Sequence, residues 1–176
     1  MSLKSFKILL LLVSFSALLF ISSCTIPVLL TKNKTRVPDS IEGVWSADDN
    51  PDVLTEVRKK DDFWVNMTIL DKGKKSEPAG ITFHDYDGLK VFCTITWENG
   101  ERNAEVMAYQ MIDDNTIHVF TMDFKGSTWS DQGQYEKDFK STPFSLREPV
   151  FEEYLKSGKI TISEKPGVFK KRYSLN

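Results

Sequence analysis

Cysteine and histidine are scarce in this chain of 176 residues, with two of each, and neither sign of charge prevails: 23 lysines and arginines stand against 25 aspartates and glutamates. Each scarcity excludes something. A mildly acidic chain of mixed charge has no basic stripe with which to hold nucleic acid. His84 and His118 fall in different stretches, with no cysteine or acid at ligand spacing, so no metal site is expected and both read as packing or surface residues. The loop "SADDNPD" gathers Asp48, Asp49 and Asp52 but lacks the glycine and distal glutamate of a calcium loop, and it reads as a solvated turn. There is no G-x-S-x-G, no Gly-rich phosphate loop and no H-E-x-x-H, and the carboxylates are scattered. The chain therefore does not read as an enzyme, and no cofactor is implied. Cys93 stands in "LKVFCTITW", without a basic neighbour or a helix start beside it, so it reads as a small buried hydrophobe and not as a reactive thiol.

What is present at the front is an address. "MSLKSFK" carries Lys4 and Lys7 and no acid, and an apolar run follows to Phe20. That is a positive n-region and an h-region of signal-peptide length, shorter than a spanning helix requires. The run ends in "ISSC", which resembles the bacterial lipobox: aliphatic Ile21, small Ser22 and Ser23, then Cys24. The resemblance implies removal of residues 1–23, diacylglycerol on the Cys24 thiol and a further acyl chain on its freed amine. Two or more acyl chains, at about 0.8 kcal/mol per buried methylene, anchor a protein stably without a spanning helix. Thr25 in place of Asp favours, by the same resemblance, the outer membrane. With Cys24 lipidated, Cys93 has no intrachain disulfide partner. Residues 24–40, bounded by Pro27 and Pro38 and without amphipathic period, read as an extended, mobile tether, and residues 41–176 as one domain.

Within that domain the signals are β and closely spaced. Strands are predicted at "IEGVWS", "VLTEVRKK", "FWVNMTIL", "AGITFHDY", "LKVFCTITWE", "NAEVMAYQMI" and "TIHVFTMD". Asp87–Gly88 and Asn99–Gly100 supply tight hairpin turns between them. Residues 124–144 break the period and read as polar cover with scattered aromatics. "REPVFEEYLK" reads as a helix around residues 149–157 with Val150, Phe151, Tyr154 and Leu155 on one face and Gly158 as its stop. "GVFKKRYSL" is a last strand. A meander this long in so short a chain curls to remove its edges. The expectation is a mainly β, eight-stranded up-and-down antiparallel barrel with one C-terminal helix before the last strand.

"IEGVW" adds a family likeness: Gly43 and Trp45 resemble the G-x-W signature of lipocalins and other calycin-type barrels. The lipocalin-like resemblance implies that Trp45 plugs the closed end, with an arginine of the last strand, here Arg172, lying over the indole. The lipocalin T-D-Y motif is absent, its nearest text being "TMDF".

The middle strands carry more apolar side chains than one face needs. Phe63 and Val65, then Trp97, then Met107 and Tyr109, then Phe120 and Met122 are the candidates to line a lumen that takes an apolar or amphipathic small ligand. The alternative is a filled barrel acting by its outer face on another envelope protein, as inhibitor, assembly partner or immunity protein. Bulky side chains in the lumen favour that alternative; an open pocket favours a ligand.

Overall fold

The computed structural model describes residues 26–98, 100–125 and 134–175. The segment read as signal peptide, the lipobox and Cys24 lie outside the described residues. Twelve strands are described: β1 (Lys34–Thr35), β2 (Gly43–Ala47), β3 (Asn50–Asp61), β4 (Trp64–Asp71), β5 (Lys74–Lys75), β6 (Ala79–Tyr86), β7 (Leu89–Glu98), β8 (Glu101–Asp113), β9 (Thr116–Phe120), β10 (Met122–Phe124), β11 (Ile160–Ile162) and β12 (Gly167–Tyr173). Helices α1 (Gln134–Ser141) and α2 (Arg147–Lys156) separate β10 from β11.

Eight strands form a closed antiparallel barrel in the order β2, β3, β4, β6, β7, β8, β9, β12. β12 returns to lie between β9 and β2. A seam of three residue pairs, Val65↔Ile81 to Met67↔Ala79, joins β4 to β6. Closure of this kind gives every barrel strand two neighbours and leaves no edge exposed. The Asp87–Gly88 turn takes positive φ at both residues, 55° and 90°, with the Gly88 N–H donating to the Asp85 carboxylate at 2.7 Å. That backbone twist matches the flanking strands.

Two apolar layers result, one inside the barrel and one outside. The outer layer rests on β7 and β8, whose Val91, Cys93, Ile95, Ala104, Val106 and Ala108 point away from the lumen and are buried. Helix α2 supplies Phe151 and Tyr154 to this layer, α1 supplies Phe139, and β10 supplies Met122 and Phe124. Helix α2 begins at Arg147, two residues ahead of Pro149, whose missing N–H costs nothing within the first turn. It closes with the Gly158 and Lys159 N–H groups on the Leu155 and Tyr154 carbonyls. Part of the stretch read as polar cover forms α1, because Phe139 gains a buried place beside Phe124 and Tyr154.

Residues 26–37 differ from the mobile tether expected of them. Ile26, Val28 and Leu30 are buried in the outer layer, and Ile26 bridges Val106 on β8. The Glu148 carboxylate accepts hydrogen bonds from the Thr31 and Lys32 N–H groups at 2.7 and 2.8 Å and from the Thr31 hydroxyl at 2.6 Å. His84 Nδ1 donates to the Lys32 carbonyl at 2.6 Å, because a carbonyl can only accept, and its Nε2 then takes the Thr82 hydroxyl hydrogen at 2.9 Å. The segment is a strap stitched to the barrel. The folded unit extends back from Ile41 to at least Ile26.

Candidate functional site

In an up-and-down meander alternate turns share an end. The β3–β4, β6–β7 and β8–β9 turns, the start of β2 and the end of β12 therefore lie at one end of the barrel, and the β2–β3 and β7–β8 turns at the other. Trp45 marks the first end. It is buried, and its indole N–H donates to the Ile41 carbonyl at 2.8 Å, which ties it to the one-turn helix Asp39–Ile41 that closes this end. Gly43 fits the signature for a steric reason: at φ 152° its missing Cβ would lie 3.0 Å from the Tyr173 carbonyl oxygen.

The arginine expected over the indole is not the cation found there. Lys171 is paired with Trp45 across β12 and β2, so its side chain shares the inward face. Its ammonium lies 5.0 Å from the ring centre and donates to the Ser40 carbonyl. Arg172 sits at a register shift, points to the outer face, and donates from Nε to the Ser46 hydroxyl at 2.6 Å. One step of strand alternation separates the two outcomes.

Above Trp45 the lumen is occupied. Val57, Val65, Ile81, Phe83, Phe92, Tyr109 and Ile117 are buried against one another. Phe83 meets Tyr109 edge to face with centroids 5.4 Å apart, and Phe92 lies 6.5 and 6.0 Å from those two rings. Burial pushes the Tyr109 hydroxyl up to about 12, with the Asp85 carboxylate adding to the effect.

One step further along three strands, toward the β2–β3 turn, the burial relaxes together. Val65 gives way to Met67, Tyr109 to Met107 and Ile117 to Val119, each of the second set partly exposed, and Phe169 on β12 is partly exposed beside them. These four pack against the aromatic cluster on its side toward the β2–β3 turn and leave part of their apolar surface exposed there. Two open clefts of about 480 Å³ each run along β8, and the second has Tyr109 of the lumen cluster in its lining. One is lined by Pro27, residues 101–105, Phe144 and Arg147, the other by Leu89, Ala108, Gln110, Met111, Phe120 and Ile162 among others.

The seven candidate lining residues divide. Val65, Met107 and Tyr109 face the lumen. Phe63 stands in the β3–β4 turn, 46% exposed. Trp97 points outward near the tip of the β7–β8 hairpin, 52% exposed. Phe120 packs on the outer layer and Met122 is buried within it. Not singled out from the sequence were Phe83, Phe92, Phe169 and Lys171. The signal for Phe92 was present, since it alternates with Val91 and Cys93 in a strand apolar on both sides, but alternation does not say which side is in.

Cys93 is buried, its thiol 3.5 Å from the Val28 carbonyl and pushed up to about 11 by burial. Among the described residues no group of three or more histidine, cysteine or acidic side chains is placed to hold a metal ion, and no helix is long and apolar enough to cross a membrane. The barrel and its helix before the last strand are compatible with a lipocalin-like likeness. No protein-family model, no curated protein and no solved structure matches this chain.

Proposed function

We propose that this is a lipid-anchored envelope lipoprotein whose barrel is a filled, rigid scaffold for contact with another envelope protein, without catalytic activity. The observation that carries this reading is the packing of Phe83, Phe92 and Tyr109 on one another inside the lumen, where a carrier would keep space for its cargo. The front end supports the envelope location through "ISSC" after the apolar run, and Thr25 in place of Asp favours the outer membrane. The contact surface best fitted to a partner is the Trp45 end, where Phe63, Ile112 (48% exposed) and Tyr173 (54% exposed) stand at strand ends.

A photo-reactive residue at Ile112 or Tyr173, placed in the protein in its own host, should yield a covalent adduct with a second envelope protein, whereas one at Asp49 on the opposite end should not. Equal or absent adducts at both ends would count against the scaffold.

The partly exposed apolar set Met67, Met107, Val119 and Phe169 favours a second reading, in which a small apolar ligand rests on the mouth without entering the lumen. Native mass spectrometry of protein purified from its host separates the two, because a bound small molecule adds its own mass.

A further inference from the structure

The strap fixes where an acyl anchor on Cys24 can reach. Ile26 is fully buried and bridged to Val106, and Cys24 stands two positions before it. Two residues span at most about 7 Å. Any lipid on Cys24 therefore enters a bilayer next to the barrel wall, and the surface around the strap's first residues has to lie at the headgroups. There is no slack for the domain to stand off.

That surface is the cleft beside Pro27. Arg147 donates from Nη1 to the Pro27 carbonyl at 3.1 Å, and its guanidinium lies 5.4 Å from the Phe144 ring. Leu146, 58% exposed, stands between these two residues in the chain. Arg102 lines the same cleft and is paired across the hairpin with exposed Trp97. Tryptophan and arginine at the rim of an apolar patch are the residue types that settle at a membrane–water interface. Glu101 and Glu105 line the cleft as well, so the charge is balanced and the patch suits a zwitterionic headgroup layer more than a strongly anionic one.

We infer that the Pro27–Arg147 cleft, with Leu146 and Trp97, is a membrane-docking face that holds the barrel in a fixed orientation on the bilayer carrying its lipid anchor. The inference rests on the lipid-anchor reading of Cys24. It leaves the Trp45 end, with Phe63, Ile112 and Tyr173, facing away from that bilayer.

Site-directed spin labelling of the full acylated protein tests it. Leu146→Cys, Trp97→Cys and, as the control, Tyr173→Cys are all exposed positions, and buried Cys93 does not compete for the label. In phosphatidylcholine vesicles, labels at 146 and 97 should show a several-fold higher ratio of collisions with oxygen to collisions with a water-soluble nickel chelate than the label at 173. Equal ratios at all three positions, in protein whose Cys24 carries acyl chains by intact mass, would overturn the docking and leave the anchor standing. Protein whose Cys24 carries no acyl mass would overturn the anchor reading, and the docking with it.

Discussion

Lys171, and not its neighbour Arg172, places its cation over the Trp45 indole, while Arg172 reaches across the outer face to Ser46. Lys171→Met keeps the aliphatic stem and removes the charge. It should cost about 0.5–2 kcal/mol in a urea melt, the range of a cation–π contact. Arg172→Met, at an exposed position, should stay within about 0.5 kcal/mol. A larger loss at 172 than at 171 would show that Arg172 is the one supporting the closed end.

The filled lumen predicts a gain as well as a loss. Truncating Phe83 to alanine removes the ring that touches both Phe92 and Tyr109, and should cost about 3–5 kcal/mol. The cavity left behind is apolar and closed to water, so the variant should bind a small apolar probe such as benzene or xenon where the parent chain does not. Parent protein that binds the probe equally well would place open space in the lumen already.

Phe151 carries the contact of α2 with the barrel. It is fully buried and meets Tyr86 edge to face at 5.6 Å. Phe151→Ala should lower stability by about 3–5 kcal/mol, a loss of many degrees in melting temperature. An unchanged melt would mean that α2 is held elsewhere.

Acid should loosen the strap in two stages. Burial lowers the His84 pKa despite the Lys32 carbonyl that favours its charged form, so the unfolded chain binds this proton more readily than the folded one. Stability from this group is lost as pH falls from about 6.5, the ordinary histidine value. Burial pushes the Glu148 carboxyl upward, but the hydrogen bonds from Thr31, Lys32 and Tyr86 outweigh it and hold the group below its ordinary range. Its contribution is present above about 4.3 and is lost as pH falls through the lower folded value. Melting temperatures from pH 7.5 to 3.5 should therefore fall in both windows, and His84→Gln should flatten the upper one alone.

Gly80 lies under the Trp64 ring on the outer surface, where an added Cβ would come within 2.0 Å of it. Gly80→Ala should cost about 1–3 kcal/mol through overpacking, and much less when Trp64 is already alanine. Equal cost in both backgrounds would put the strain in the backbone.

The barrel was legible because its signals are local: short strands, the Asp87–Gly88 turn and enough strands in series to close. The lining of the lumen was less so. In β7 the clean alternation of Leu89, Val91, Cys93, Ile95 and Trp97 marks the outer face, because the strap and α2 bury Val91, Cys93 and Ile95 there, while Phe92 faces in. A strand covered on both sides carries no mark of which side is the lumen. The strap escaped notice because an irregular segment has no period to display. The exchange of Lys171 for Arg172 follows from a register that only the pairing of β12 with β2 reveals.

The contact between Thr31 and Glu148 spans 117 positions of sequence. A chain emerges with its N-terminus first, at about 5–20 residues per second, so on the order of ten seconds separate the appearance of the strap from that of the carboxylate that fastens it. For that interval Ile26, Val28 and Leu30 lack the cover that α2 provides. The fastening comes almost last: the front of the described chain cannot be set in place until the helix near its other end has been made.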